Sequence, residues 1–498
     1  MRASASSALG MSDAGGATCA HPTAKRTKTN DVETLAQATH MAATVAASRA
    51  CLGEICTRGR PVRFREQTPT AVSVSSGLRW ARRLADAARP MLGLDLVRPL
   101  EADWRDAIDD VARQSGWPTT RDVAKLASRV KSLSDSYNDP LRARAATESD
   151  GAARLGFFFA RDVPKTAAAV RELVATGALR IDGVLRVLDL GAGMGASTWG
   201  IVRALEAAGE QGTVEATWVD ADRKALDVGA ALARRRPQRR GVALRIEVNA
   251  GPVTALGALG AFDVVVASGL LSELDVGASE PLRVERHAAL LSHVLETRTS
   301  ARGSLVVVEP ALRDRARHLH AVRDALVSSP SSPRTVFAPC LHESPCPALG
   351  RTSDWCHDDL PIALPPWLVP VARTAGLRYE GLTLAYLVLR KDGVRLVDAL
   401  VGPIGATRAR AVSESMRTKG KREVFLCGAF LASSEQTSAV AAARVRTARL
   451  DRDRTESNEA WDGVERGDVL VLGPPVCSAT ARIGRSTEVR LMEGKTRR

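Results

Sequence analysis

Three of the chain's eight cysteines crowd into "APCLHESPCPALGRTSDWCH", residues 338 to 357, as Cys340-x5-Cys346-x9-Cys356. Clustered thiolates are ligands for soft metals. The spacing is looser than the C-x2-4-C pairs of a zinc ribbon. Irregular, proline-rich loops of this kind can instead hold an iron-sulfur cluster, which generally takes four cysteines. The fourth would come from Cys427 in "REVFLCGAF" or Cys477 in "GPPVCSA", because Cys19, Cys51 and Cys56 lie far upstream. Zinc in the same place, or ordinary thiols, are the alternatives to a cluster.

A second constellation precedes it. In "VLDLGAGMGAS" an apolar run ends at Asp189, and Gly191, Gly193 and Gly195 lead into a helical stretch. Glycines there allow positive φ and close approach of the backbone to a ligand, while the helix N-terminus offers unpaired N–H groups to a nucleotide-like molecule. Asp220 ends the next apolar run in "ATWVDAD", where a carboxylate can accept from both ribose hydroxyls. Asn249, in "EVNAGPV" after the third run, would lie beside an adenine. Gly191-x-Gly193-x-x-Ala196 also satisfies the dinucleotide fingerprint, so these residues fit NAD as well as S-adenosylmethionine.

The elements that must place these residues follow from periodicity. Continuous apolar runs in "VLRVLDL", "VEATWVD", "VALRIEVNA", "AFDVVVAS" and "GSLVVVEP" alternate with amphipathic stretches, the pattern of a parallel sheet buried on both faces. The fold class is α/β, a doubly wound Rossmann-like sheet, with a helical module before it and a small β-rich module after it. The expected division is a disordered tail over 1–35, helices over 36–178, the nucleotide-binding domain over 179–395 with a cysteine-rich insertion at 336–360, and the β-rich module over 396–498. Within that last module "VRLVDALVGP" reads as a β-like run. "SSEQTSAVAAARVRTARLDRDRTES" reads as helical or flexible, and "ERGDVLVLGPP" as one last strand.

Bulk composition narrows the class further. With 498 residues and 45% hydrophobic content the chain can bury a sizeable core, and no apolar run approaches a membrane span. A net charge of +14 should attract polyanions, whereas 4% aromatic residues argue against base-stacking platforms. Arginine- and alanine-rich composition points to a GC-rich bacterium and its cytoplasm.

Asp189, two residues before the first glycine, resembles the acidic-x-Gly-x-Gly-x-Gly motif of class I S-adenosylmethionine-dependent methyltransferases, in which the loop borders the methionine part of the cofactor. At the end of the fourth strand, where the methyl acceptor would lie, the chain has Ala267-Ser268-Gly269-Leu270 instead of an Asn/Asp-Pro-Pro-aromatic motif or a Pro-Cys nucleophile. No general base can be assigned, so the catalytic residues stay unknown.

Ala338, Pro339, Cys340, His342, Cys346, Pro347, Asp354, Trp355, Cys356 and His357, followed by Tyr379, Glu380, Tyr386 and Leu387, give the pattern "APCxH…CP…DWCH…YE…YL". Over roughly residues 130 to 430 the chain resembles the mitochondrial ribosome small-subunit assembly family of methyltransferase-like proteins and its bacterial relatives. The resemblance implies an S-adenosylmethionine-binding fold, a structural 4Fe-4S cluster on Cys340, Cys346, Cys356 and Cys427, and the small ribosomal subunit and its rRNA as partners. It also raises the mitochondrial matrix as a compartment. His342 and His357 are read as supporting residues, and a monomer is favoured. The basic stretch after Gly402-Pro403 is more dilute than in the family, and the segment beyond about 430 has no clear match. An active methyltransferase on RNA or another acceptor with no assembly role, and a nicotinamide-dependent oxidoreductase with a cluster, are the competing functions.

Overall fold

The computed structural model describes residues 99–138, 150–236, 241–328, 335–400, 402–431 and 440–492. The tail expected over 1–35 and the upstream part of the helical module, with Cys19, Cys51 and Cys56, lie outside the described residues.

Helices α1 (Ala102–Gln114) and α2 (Val123–Asn138) come first. A continuous helical stretch follows, Gly151–Ala153, a π-helical turn Arg154–Phe158, then α3 (Phe159–Ala169) and α4 (Arg171–Ala175). The sheet is built from β1 (Val184–Leu190), β2 (Gly212–Asp220), β3 (Val242–Ala250), β4 (Phe262–Ser268), β5 (Thr299–Glu309), β6 (Thr335–Ala338), β7 (Asp358–Ala363) and β8 (Glu380–Arg390). Between strands run α5 (Ala196–Ala207), α6 (Arg223–Arg235), α7 (Glu280–Arg298), α8 (Arg313–Val327) and α9 (Val369–Ala375).

The strand order is β3-β2-β1-β4-β5-β8-β6, with β7 also on β8. The first five strands pair in parallel, and β8 runs antiparallel to both β5 and β6. An antiparallel strand inserted between the fifth and sixth separates this sheet from the 3-2-1-4-5-6 dinucleotide order and gives it the class I methyltransferase arrangement.

Side-chain alternation explains why the central strands read as continuous apolar runs. Val187, Val264, Val266, Val306 and Val308 face a core shared with Trp104, Ile108, Leu126, Leu133, Phe157 and Phe159 of the preceding helices. Their neighbours Leu188, Leu190, Val265, Ala267, Leu305 and Val307 face a second core under α7 and α8. Each of these valines and leucines is essentially inaccessible, contributing about 1.5–3 kcal/mol by burial. The N-terminal helices therefore share the sheet's own core.

The C-terminal part is a second sheet of β9 (Thr407–Ala411), β10 (Met416–Thr418), β11 (Lys421–Leu431), β12 (Val440–Leu450), β13 (Val469–Gly473), β14 (Arg482–Ile483) and β15 (Glu488–Leu491). Its order is β14-β12-β11-β9-β13-β15, with β10 on β11 and a core around Leu426, Phe430, Trp461 and Leu470.

Two expectations fail here. Leu396–Ala399, inside "VRLVDALVGP", is a 3-10 turn closed by Arg395 on Asp398 at 2.8 Å, because Gly393 at φ +79° has already bent the chain. Val440–Leu450 is a strand, not a helix, and pairs with all of β11 from Lys421 to Leu431. Its alanines favour helix, but Val445, Thr447 and Arg449 recur every second residue on the buried side, and tertiary pairing overrides propensity.

Candidate functional site

Gly191, Gly193 and Gly195 adopt φ of +69°, +52° and +80°, so the turn from β1 into α5 is left-handed at every second residue. A Cβ on Gly195 would overlap the indole ring of Trp218. The amides of Gly191 and Ala192 donate to the carbonyl of Val219 at 2.8 and 3.2 Å, fastening the loop to β2.

Asp189 is fully buried and points into the protein. Its carboxylate accepts from the Ser197 hydroxyl at 2.7 Å and from the Thr198 amide and hydroxyl at 3.1 and 2.7 Å, while Trp218 Nε1 donates to Thr198 Oγ1 at 2.9 Å. Burial outweighs those hydrogen bonds and lifts the carboxyl to about 6. Asp189 thus fixes the first turn of α5 and the loop before it, and its oxygens are taken by the protein itself.

Asp220 lies at the carboxyl end of β2. It accepts from the Gly193 amide at 2.8 Å through one oxygen and from the Asp222 amide at 2.8 Å through the other. Half-buried Asn249 stands opposite Val219 on β3. The loop, Asp220 and Asn249 are therefore brought together at the carboxyl ends of adjacent parallel strands, where open α/β sheets bind ligands.

Three residues that the sequence reading did not single out face this end. Arg154, in the π-helical turn, feels the charges of Tyr137, Glu273, Asp220 and Asp222, and its Nε is buried without a partner. Tyr137 Oη donates to Glu273 Oε1 at 3.3 Å, and burial followed by the Glu273 charge raises the phenol well above its usual range. A π-turn frequently marks a functional position, but "ARLGFFFA" carries no periodic signal for one.

The four cysteines come from different elements. Cys340 follows β6, Cys346 precedes the 3-10 turn Pro347–Gly350, Cys356 precedes β7, and Cys427 lies mid-way along β11. Every pair among them is close enough to interact electrostatically. Burial first, then the neighbouring cysteines, push the Cys346 thiol up to about 11, Cys356 up to about 12 and Cys427 well above its usual range. Among the described residues, no group of three or more His, Cys, Asp or Glu side chains could hold a single metal ion.

One face of α8 holds the cysteine loop. Arg317 donates to the carbonyls of Ala348, Arg351 and Asp354 at 3.1, 2.6 and 2.6 Å, and His320 Nε2 is 3.1 Å from the carbonyl of Cys356. Arg323 donates to the carbonyls of Ser344, at 2.6 Å, and His342, while Asp324 accepts from the Cys346 amide at 2.8 Å. The signal was present in "RARHLHAVRD", whose positions 317, 320, 323 and 324 share a helical face, though polar residues there read as a solvated surface.

His342 Nε2 lies 3.6 Å from Cys427 Sγ, and its other ring nitrogen is 3.2 Å from the Ser344 carbonyl. His357 stacks on Trp355 with centroids 5.6 Å apart. Cys477 is buried where its segment bridges Leu431, at the end of β11, four residues beyond Cys427. No helix among the described residues is long and apolar enough to cross a membrane.

Among solved structures, the plantazolicin methyltransferase BpumL with S-adenosylhomocysteine is 11% identical, covering 54% of this chain and 98% of its own at a TM-score of 0.28. Precorrin-6y C5,15-methyltransferase from Geobacter metallireducens is 14% identical, covering 44% and 88% at 0.25. A fibrillarin/Nop5p complex is 12% identical, covering 46% and 82% at 0.25. Scores this low bear on nothing beyond themselves. No curated protein matches the chain. The family model described as mitochondrial small ribosomal subunit Rsm22 matches residues 157–439, a span from the π-helical turn before α3 to beyond β11 that includes the glycine loop and Cys340, Cys346, Cys356 and Cys427. That span is more than half of the 498 residues, and the chain belongs to the mitochondrial small ribosomal subunit Rsm22 family.

Proposed function

We propose that this chain is a small-ribosomal-subunit factor that works in subunit assembly, built on an S-adenosylmethionine-binding fold and stapled by a 4Fe-4S cluster on Cys340, Cys346, Cys356 and Cys427. The observation that carries the reading is the approach of these four thiols from the segment between β6 and β7 and from β11, with up to 86 residues of chain between them.

The donor set fits a cluster. Four neighbouring thiols, Cys346 buried and the other three half-buried, would repel one another as thiolates and gain most from a cationic core that takes their protons' place, so metal affinity becomes folding energy. Tetrahedral zinc would draw its sulfurs to within about 3.8 Å of one another. A cube of iron and sulfide accepts ligands spread more widely than a single ion does. The guanidinium of Arg323, near Cys340 and Cys346, and that of Arg444, opposite Cys427, each keep a buried, unpartnered Nε that could serve an anionic cluster.

When bound, the cluster would supply structural cross-linking. The chain's own residues do the rest: α8 shapes the loop, and β11 delivers the fourth thiol. For S-adenosylmethionine, the glycine loop, Asp220 and Asn249 would take the cofactor, with Asp189 positioning the loop from behind. The family description supports the small subunit as partner and the mitochondrial matrix over the bacterial cytoplasm expected from composition.

The test is iron, acid-labile sulfide and zinc per chain in anaerobically purified protein, with sedimentation against small subunits and titration with S-adenosylmethionine and NAD in parallel. Near-stoichiometric iron and sulfide, S-adenosylmethionine binding and co-sedimentation support the reading. Zinc alone, or NAD binding, would replace it.

A further inference from the structure

A cavity of about 670 Å³ opens between the N-terminal ends of α7 and α8 and the cysteine loop, lined by Arg283, Arg313, Arg315 and Arg317 with Glu280 and Asp314. Four arginines face only two carboxylates there. Arg283 Nη2 donates to the carbonyl of Leu271 at 3.2 Å and Arg315 Nη1 to that of Ser272 at 2.9 Å. Arg317 is fixed by the cysteine-loop carbonyls on the opposite wall. Main-chain carbonyls orient a guanidinium without cancelling its charge, so these side chains are ordered before any ligand arrives.

The two carboxylates are already engaged. Glu280 pairs with Arg283 at 3.4 Å and with His318 at 2.7 Å, and Asp314 pairs with Arg315 at 3.4 Å. Arg317 and exposed Arg313 have no carboxylate partner in the cavity, and Thr352 adds a hydroxyl beside them, while Ser353 Oγ donates to Asp354 Oδ1 at 3.2 Å. A cavity with surplus positive charge and no Phe, Tyr or Trp in its lining suits a ligand recognised by its oxyanions and not by stacked rings.

We propose that this cleft binds phosphate groups, and that their source is an RNA backbone held without base preference beside the end of β4, where a methyl acceptor would lie. The phosphate chemistry stands on the cleft alone; the choice of RNA rests on the ribosomal reading above.

The experiment uses full-length protein with a short labelled oligouridine, its DNA counterpart and inorganic pyrophosphate, measured by fluorescence anisotropy and competition from about 50 to 200 mM salt. Arg313→Glu tests the cleft without breaking an internal contact, Arg283→Gln tests an anchored donor, and Arg313→Lys restores the charge. RNA binding that weakens about tenfold in Arg313→Glu, with a log–log salt slope shallower by about one per lost phosphate contact, and that returns in Arg313→Lys, supports the proposal. Pyrophosphate binding lost in the same variant, with no RNA binding, keeps the phosphate cleft and assigns it to a free anion. Unchanged binding of both ligands in Arg313→Glu and Arg283→Gln overturns it. Metal content and subunit sedimentation, read on the same preparations, separate failure of the cleft from failure of the ribosomal reading.

Discussion

Arg410 on β9 stands directly opposite Cys427 on β11, and its Nε donates at 2.7 Å to the carbonyl of Pro339, the residue before Cys340. The same guanidinium donates to Gly467 O at 2.9 Å and pairs at 2.9 Å with Glu172, which also accepts from Tyr386 Oη. One buried cation therefore fixes the two stretches of chain carrying the first and fourth cysteines and ties both to α4 and β8.

Arg410→Met should destabilise the protein by about 3–5 kcal/mol, because Glu172 is left buried with its main partner gone. Chemical denaturation of the purified variant measures this. A loss below about 1 kcal/mol would mean that the network is replaceable.

The four cysteines should behave as one unit. Cys340→Ser and Cys427→Ser should each abolish bound iron, and the double variant should lose no more than either single one. Cys477→Ser, in the same β-rich sheet, should keep its iron. Graded losses across the single variants would argue against a shared cluster.

Gly195→Ala should lower the melting temperature and abolish S-adenosylmethionine binding in calorimetry. A Cβ there meets Trp218, and φ of +80° adds roughly 1–2 kcal/mol of strain. Gly209→Ala, also at positive φ but with open space around its Cβ, should bind normally.

Two buried groups near the carboxyl ends of the strands impose opposite pH dependences. Burial lifts Glu309 from 4.5 to about 7 despite its hydrogen bond from the Leu271 amide, so its contribution to stability is complete below 4.5 and is lost as pH rises through 7. Burial, then His318, lowers His287 from 6.5 to about 4, so its contribution is complete above 6.5 and is lost as pH falls through 4. Glu309→Gln should therefore raise stability at pH 8 relative to wild type and have little effect at pH 4. Denaturation midpoints at the two pH values check it, and an equal change at both would show that Glu309 does not titrate in this range.

Much of the α/β half was legible in the linear chain. Doubly buried strands leave continuous Val and Leu runs, and a left-handed loop requires glycine at Gly191, Gly193 and Gly195, so both leave local traces. The strand Val440–Leu450 was not legible, since its extended form depends on a partner, β11, and alanine content points the other way. Arg317, Arg323 and Asp324 were hidden for a related reason: a charged helical face reads as solvated until a loop is laid against it.

By itself the sequence determined the order of strands and helices, the glycine turn and the identity of the thiols, because each is a property of neighbouring residues. Only the tertiary structure decided that Asp189 turns inward to hold Ser197 and Thr198, that Cys427 comes within electrostatic reach of the three cysteines between β6 and β7, and that four arginines line one cavity. These are relations between segments far apart along the chain, set by which faces find burial and which charges find partners, and no local pattern encodes them.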